Sequence, residues 1–181
     1  MTQSVDPGVS LTWRLLKYWR LIAIGASVLA ADQATKAWIG ARLPFNTYGE
    51  EAGAIPVIRG FFYIVHVGNT GAAWSMFSGR SVLLATLAAV TLTAILIGRR
   101  ALGLAAVPAQ VCFGLMCGGI AGNLVDRLAR GHVVDFLDFH FGTYVYPTFN
   151  VADSAICVGV VLYALYSLRT PRPEGSRIIP R

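Results

Sequence analysis

The chain is poor in charged residues and rich in apolar ones. Aspartate, glutamate, lysine and arginine make up 13% of the 181 residues, whereas apolar residues make up 55%. An average soluble domain has about a quarter of charged residues. This composition excludes an ordinary soluble fold and indicates a membrane protein. The length allows one compact unit rather than two, so we treat residues 1–181 as a single domain.

Cysteine is scarce, and its spacing matches no metal or redox pattern. Cys112 and Cys117 fall in one apolar run and Cys157 in another. The sequence contains no Cys-x-x-Cys, no Cys/His zinc spacing and no His-Glu-x-x-His motif. We therefore expect the three thiols to pack as small hydrophobes, and we expect the protein to need neither a metal nor a cofactor.

Four apolar stretches are long enough to cross a bilayer, which takes about 20 helical residues. They cover residues 21–39, 81–98, 101–125 and 151–168. The first stretch resembles a signal peptide, but Asp32 and Lys36 lie four residues apart on one helical face and favour an uncleaved helix. The predicted fold class is a membrane all-α protein, a bundle of four transmembrane helices.

The distribution of lysine and arginine predicts the orientation. Nine basic residues and two acids fall on the side of both termini, whereas six basic residues and seven acids fall on the other side. Because the basic side is normally cytoplasmic, we expect both termini there. The net charge of +6 then indicates attraction to lipid headgroups, not to nucleic acid. The aromatic residues that fit interfacial belts are Trp13, Tyr18 and Trp19 at one level, and Trp38, Trp74, Tyr144 and Tyr146 at the other.

Two connections are predicted on the outer side of the membrane. Residues 41–79 include a β-rich, partly alternating run at 55–67, so we expect a small β-rich segment at the extracytoplasmic surface. The second connection, residues 126–149, leads into the last span. The tail at 171–181 is rich in proline and arginine, and its composition predicts disorder.

Two aspartates occupy positions where a charge is costly. Asp135 interrupts the apolar run 133–137, and Asp153 opens the last span. Ionised carboxylates near hydrocarbon depth cost several kcal/mol, so they tend to be paired and functional. Two that converge repel each other, which raises one pKa and lets the pair share a proton, the electrostatic basis of aspartic-peptidase chemistry. Asp135 and Asp153 are therefore our candidate catalytic residues.

Structural roles compete with this interpretation. Asn150 is placed to cap the fourth helix, which would leave Asp153 as a third helical residue favoured by the helix dipole. Asp135 would be a solvated residue if residues 133–136 only formed a surface strand or a helix end. A capping role alone does not explain a second acid on the same side of the membrane, so we favour function.

Other charged residues have structural explanations. Asn123, Asp126 and Arg127 cluster near the end of the third span, where we expect Arg127 to keep Asp126 ionised and structural. Asp32 and Lys36 are interpreted as an intrahelical pair that braces the site. The glycines that recur every four residues, which indicate close helix packing, are Gly114, Gly118 and Gly122.

Three other function classes fit the sequence less well. A proton-coupled transporter would show internal repeats and interrupted spans, and the sequence has no repeat. A serine route through Ser154 or Ser75 lacks a histidine base on the same helix face. A metal-dependent hydrolase would draw on a loosely ligand-like set, namely His132, Asp135, Asp138 and His140.

Five blocks of this sequence occur together in a known family. They are Asp-Gln-Ala-Thr-Lys at 32–36, Asn-Thr-Gly-Ala-Ala-Trp-Ser at 69–75, Gly-Asn-Leu-Val-Asp-Arg at 122–127, Gly-His-Val-Val-Asp-Phe at 131–136 and Asn-Val-Ala-Asp-Ser-Ala at 150–155. The blocks occur in the order typical of lipoprotein signal peptidase (signal peptidase II), a bacterial intramembrane aspartic peptidase, and the chain therefore resembles this family. The blocks extend from the first span to the fourth, which makes the resemblance specific.

The resemblance implies roles for these residues. Asp135 and Asp153 correspond to the catalytic dyad. The residues implied to bind substrate or to support the site are Asp32, Lys36, Asn69, Gly71, Gly122, Asn123, Asp126, Arg127, Asn150 and Ala152. The implied reaction removes the signal peptide from a diacylglyceryl-modified prolipoprotein. The enzyme would cut just before the lipidated Cys, at the outer face of the bacterial cytoplasmic (inner) membrane.

The expected partners are this precursor and membrane lipids, with no nucleic acid, no cofactor and a monomeric enzyme. Some features depart from the family pattern. Trp74 stands where Phe is usual, the segment 45–54 is longer than typical, and the stretch before Leu11 is extra. These departures concern the surface loop and its substrate contacts rather than the chemistry.

Overall fold

The computed structural model describes residues 17–72 and 76–169. Its helices are α1 (Trp19–Arg42), α2 (Ser81–Gly98), α3 (Val107–Arg130) and α4 (Val151–Arg169). Its strands are β1 (Ile55–Ile58), β2 (Phe62–Asn69), β3 (Val133–Phe141) and β4 (Tyr144–Val145). The predicted belt residues Trp13 and Trp74, and the predicted disordered tail 171–181, lie outside the described residues.

Three of these four helices are long and apolar enough to cross a membrane, namely α2, α3 and α4. Helix α1 differs because its inward side is polar. Asp32, Lys36 and Ile39 are its buried residues, and the first two carry charge. Helix α2 carries no charge and has Ala85 as its buried residue, so its mean hydropathy is higher than that of α1.

Helix α3 does not have the predicted bounds of 101–125. It begins at Val107 because residues 99–106 form a turn in which Gly103 adopts a φ of +65°. Pro108 lies in the first helical turn, where its missing N–H is not needed. The helix continues through Asp126 to Arg130, because the Asp126 charge is paired rather than exposed. Gly131, with a φ of +76°, ends it.

Glycines let α3 pack closely on two neighbours. A Cβ on Gly118 would lie 2.6 Å from the carbonyl oxygen of Gly25 on α1. Gly114 contacts Ile24, which also lies on α1, and Gly119 contacts the backbone of Ala152 on α4. The prediction that the recurring glycines serve helix packing is therefore confirmed, and α3 forms the centre of the bundle.

The sheet is antiparallel, with strand order β1-β2-β3-β4. The small sheet predicted within residues 41–79 is present as β1 and β2, but β3 and β4 come from the second connection. In the pairing of β2 with β3, Val67 lies opposite Asp135 and Asn69 lies opposite Val133. This register brings Asn69 and Asp135 to the same end of the sheet, next to the ends of α3 and α4.

Candidate active site

A cavity of ≈ 1070 Å³ lies between the sheet and the ends of α3 and α4. Asp135 from β3 and Asp153 from the first turn of α4 both line it. Asn69, Asn123 and Arg127 line the same cavity. The two acids singled out in the sequence thus face one space that is large enough for a peptide segment.

Asp153 is held by a reciprocal cap at the start of α4. The Asp153 N–H donates to Oδ1 of Asn150 over 3.0 Å, and the Asn150 N–H donates to Oδ2 of Asp153 over 3.2 Å. This is a capping box, and it confirms the predicted cap. The remaining oxygen, Oδ1 of Asp153, accepts a hydrogen bond of 2.7 Å from Nδ2 of Asn123. The cap therefore orients the carboxyl group while it stays at the cavity wall.

Asp135 receives one amide donor on each carboxyl oxygen. Nδ2 of Asn150 donates to Oδ1 over 2.7 Å, and Nδ2 of Asn69 donates to Oδ2 over 2.9 Å. The Asn150 amide also lies 3.2 Å from Oδ1 of Asn123. Since Asn150 caps Asp153 with its own oxygen, one side chain connects both acids.

The pKa of Asp135 is raised to about 7. Burial is the main cause, because the side chain has little access to water, and the neighbouring charge of Asp153 adds to it. Hydrogen bonds from Asn69 and Asn150 and the charge of Lys36 act in the opposite direction. A carboxyl group with this pKa is largely protonated below neutral pH.

Lys36 is the centre of a buried charge cluster behind the cavity. Its Nζ lies 2.9 Å from Oδ2 of Asp32 and 2.8 Å from Oδ2 of Asp126, and all three side chains are fully buried. The same Nζ donates to Oδ1 of Asn123 over 3.0 Å. Because Asn123 also bonds to Asp153, this one side chain links the cluster to the candidate catalytic pair.

The two acids of this cluster also hold the elements that carry the pair. Oδ1 of Asp32 accepts the backbone N–H of Ala152 over 3.0 Å, at the start of α4. Oδ2 of Asp126 accepts the backbone N–H of Val134 over 3.2 Å, at the start of β3. Gly122 packs directly against the Asp32 carboxylate, and a side chain there would displace it. The predicted bracing role of Asp32 with Lys36 thus has a geometric basis.

Arg127 does not pair with Asp126, contrary to our expectation. Asp126 pairs with Lys36 and with Arg130, one helical turn later. Successive residues of a helix point in different directions, whereas residues four apart share a face. Arg127 instead donates to the carbonyl oxygen of Gly71 over 2.9 Å. This contact holds the loop after Asn69.

Gly71 packs closely against the backbone of residues 76 and 78 of the same chain. Its N–H donates to Oδ1 of Asn69 over 2.8 Å, which orients the Asn69 amide towards Asp135. A Cβ at this position would lie 2.7 Å from the carbonyl oxygen of Met76. Glycine is therefore required here by space.

Two features were missed by the sequence analysis. Nε2 of Gln33 bridges Asp32 and Asp126, over 3.1 and 3.2 Å, and its place beside Asp32 in a matched block was the available signal. Asp138 is buried, and its Oδ2 accepts the Gly49 N–H over 3.1 Å and lies 2.9 Å from Nε2 of His140. No pattern in the sequence indicated that this loop contact forms.

The alternative sites also have defined positions. The Ser154 hydroxyl donates a hydrogen bond of 2.9 Å to the carbonyl oxygen of Asn150, and Ser75 lies outside the described residues. His132 packs on the ring of Phe45. Among residues 17–72 and 76–169, no group of three or more His, Cys, Asp or Glu is arranged to hold a metal ion. Cys157, expected to be packed, is exposed and lines the cavity.

Comparisons with known proteins agree with the sequence motifs. The model of the family described as signal peptidase (SPase) II matches residues 24–169. A lipoprotein signal peptidase of Nitratidesulfovibrio vulgaris is 41% identical over 166 residues, which cover 88% of this chain and 95% of that protein. A lipoprotein signal peptidase of Xanthomonas campestris pv. campestris is 37% identical over 186 residues, which cover 97% of this chain and 100% of that protein.

The fold is also similar to a solved structure. It is described as a bacterial membrane enzyme determined by the in meso method at 2.3 Å resolution. The two chains are 29% identical, with a TM-score of 0.72, and the match covers 86% of this chain and 94% of the other. The sequence matches and the structural match each cover most of this chain and most of the compared protein. The chain belongs to the signal peptidase II family.

Proposed function

We propose that the protein is an aspartic endopeptidase that removes the signal peptide from diacylglyceryl-modified prolipoproteins, with Asp135 and Asp153 as its catalytic pair. The observation that carries this proposal is the meeting of both carboxyl groups at one cavity, connected through Asn150. Membership of the signal peptidase II family supplies the reaction, the removal of a signal peptide. The remaining ten predicted residues support the pair or the elements that carry it.

We further propose that all four helices cross the bacterial cytoplasmic membrane, with both termini in the cytoplasm and the cavity at the outer face. Helix α1 has 24 residues and is therefore about 36 Å long, enough to cross a hydrocarbon core of about 30 Å. Its charged residues Asp32 and Lys36 are compensated inside the bundle. The excess of basic residues at the opposite end supports this orientation.

The proposed reaction uses water as the nucleophile. Ionised Asp153 takes a proton from water, whose oxygen attacks the carbonyl carbon before the lipidated Cys. Protonated Asp135 donates a hydrogen bond to the carbonyl oxygen and stabilises the tetrahedral intermediate. Transfer of a proton to the leaving amine then breaks the C–N bond. The products are the signal peptide with a free carboxylate and the lipoprotein with a free amino group.

We propose this assignment of the two protonation states from the hydrogen bonds and burial of each carboxyl group. The raised pKa of Asp135 keeps its proton in place below neutral pH. Asp153 lies in the first turn of a helix and accepts hydrogen bonds from Asn123 and from the Asn150 N–H, and each of these contacts stabilises a carboxylate. This route uses no metal or cofactor, and both proposed catalytic residues come from one chain, so we propose a monomeric enzyme.

The rate of cleavage is expected to fall as the pH rises through about 7, because Asp135 then loses the proton that the mechanism requires. The raised pKa also means that the unfolded chain releases this proton first. The contribution of Asp135 to stability is therefore present below the ordinary carboxyl pKa and is lost as the pH rises to about 7. Measurement of kcat/KM for a lipid-modified precursor between pH 5 and pH 9 tests the expected fall in the rate of cleavage. Constant kcat/KM across that range would contradict the assigned role of Asp135.

The lipid on the substrate is expected to be essential for efficient cleavage. A precursor with its acyl chains is confined to the membrane surface, where the proposed cavity opens, so its scissile bond is presented at high local concentration. Purified protein in lipid nanodiscs would be given the same precursor with and without diacylglyceryl modification. We expect cleavage of the modified form and slow or no cleavage of the other. Equal kcat/KM for both forms would remove the lipid from the recognition proposal.

A further inference from the structure

A second cleft, of ≈ 470 Å³, lies at the end of the bundle remote from the candidate active site. It is bordered by the residues that precede α1 on one side and by the turn between α2 and α3 on the other. The residues that line it are Lys17, Tyr18, Arg99, Arg100 and Ala105. Three of the five side chains are cationic, so the cleft has the charge of an anion-binding site.

The two sides of this cleft are held together by a buried side chain. Nε2 of Gln110 donates to the carbonyl oxygen of Lys17 over 2.9 Å and lies 3.4 Å from that of Ala105. Gln110 is 2% exposed, and its Oε1 has no hydrogen-bond partner among the described residues. Because the buried Gln110 amide contacts both sides of the cleft, the packing of the helix bundle fixes the distance between them.

The turn that carries the two arginines is also well anchored. The Leu104 N–H donates to the carbonyl oxygen of Arg99 over 3.0 Å, and the Gly103 N–H donates to that of Arg100 over 3.1 Å. Leu104 is buried in a cluster that includes Phe113 of α3. These contacts keep the backbone of both arginines in place, so little ordering of the main chain is needed when an anion binds.

The cations of this cleft are not neutralised by the described part of the protein. None of the ion pairs within residues 17–72 and 76–169 involves Lys17, Arg99 or Arg100. The acids in those ranges lie on the segments that build the candidate active site. One Arg99 nitrogen donates to the carbonyl oxygen of Leu96 over 2.8 Å, which leaves further N–H donors on the guanidinium.

The position of the cleft matches that of a lipid headgroup. Helix α1 begins beside it and rises about 36 Å towards the candidate active site, which is about the distance between the two headgroup regions of a bilayer. On α2, directly before the arginines, Leu96 and Ile97 are 65% and 73% exposed. An apolar surface next to a cationic cleft suits a ligand with a charged head and acyl chains. A soluble anion would contact only the cleft and not the apolar surface.

We propose that this cleft binds the phosphodiester headgroup of an anionic phospholipid, with Lys17, Arg99 and Arg100 as its cationic ligands and with the acyl chains along the Leu96 side of α2. Arginine suits this role because its planar donors match phosphate oxygens. Binding would join the beginning of α1 to the turn between α2 and α3. The site is separate from the catalytic cavity, so the inference does not depend on the proposed peptidase mechanism.

The test is ligand binding by the full-length protein in detergent, measured by native mass spectrometry with phosphatidylglycerol, with phosphatidylcholine and with inorganic phosphate. The double variant Arg99→Gln/Arg100→Gln would be compared with wild type and with Arg59→Gln/Arg80→Gln. The control variant loses the same charge from two exposed arginines at the other end of the protein. We expect one phosphatidylglycerol to be retained in preference to phosphatidylcholine, with a Kd at least about tenfold weaker in the first variant and unchanged in the control.

Several results would overturn this proposal. Equal retention of the two lipids by wild type would show that the charge is not recognised, and equal weakening in both variants would show an effect of net charge alone. Binding of inorganic phosphate without preference for phosphatidylglycerol would assign the cleft to a soluble anion. If the double variant does not fold, the single variant Arg100→Gln is measured instead, because the Arg100 side chain is exposed. Unchanged affinity in that variant would equally contradict the site.

Discussion

Replacement of either Asp135 or Asp153 by asparagine is expected to reduce cleavage of a lipid-modified precursor by roughly 10³-fold or more, since each change removes a proton donor or acceptor from the reaction. Asparagine has nearly the same shape as aspartate, so the fold should persist. At position 153 its amide oxygen can still accept the Asn150 N–H and retain the cap. The measurement is kcat/KM of each variant in nanodiscs, together with its helix content and thermal stability.

Asp138→Asn is the matched control for these two variants. Asp138 lines the same cavity and is also buried, but its carboxylate contacts Gly49 and His140 rather than the candidate pair. We expect this variant to keep cleavage within about tenfold of wild type, because no proton transfer passes through it. Near-normal turnover in Asp135→Asn or Asp153→Asn, or an equal loss in all three variants, would refute the proposed dyad.

Replacement of Lys36 by methionine is expected to destabilise the protein by about 3–5 kcal/mol and to reduce activity as well. Methionine fills a similar volume but leaves Asp32 and Asp126 buried near one another without the ammonium group between them. The two carboxylates would then repel each other or take up protons. Either response weakens their contacts with the backbone at Ala152 and Val134, which position α4 and β3.

The control for the lysine variant is Arg42→Met on the same helix. Arg42 is exposed, and no ion pair within the described ranges includes it. Its loss is expected to change stability by less than about 1 kcal/mol. Denaturant-induced unfolding in mixed micelles would compare the two variants with wild type. Similar stability of Lys36→Met and Arg42→Met would show that the buried cluster does not hold the structure together.

Two of the apolar runs were located well from the sequence. The stretch predicted at 81–98 coincides with α2 (Ser81–Gly98), and that at 151–168 differs from α4 (Val151–Arg169) by one residue. Charges or glycines at the ends of these runs mark where a membrane helix stops. Helix α3 was misplaced at both ends because its limits depend on other signals. Its start is set by a glycine turn and Pro108, and its continuation past residue 125 depends on the pairing of Asp126 with Lys36.

The sheet shows a similar division. The β-rich run at 55–67 was recognisable from its composition, and it contains β1 and most of β2 (Phe62–Asn69). The pairing of β2 with residues 133–141 was not predictable, because strand partners far apart in sequence are chosen by packing rather than by local propensity. This pairing is what brings Asn69 within hydrogen-bonding distance of Asp135.

The amino-acid sequence determined the membrane character of the protein, the motifs of its family and the two acids that we propose as the catalytic pair. These properties are local, since each depends on residue types within a short run. Only the tertiary structure decided that Asn150 connects the two acids, that Lys36 pairs with Asp126 and that Arg127 contacts Gly71. Contacts such as Lys36 with Asn123, 87 residues apart, form only when helices pack and exclude water, because burial makes each charge require a partner.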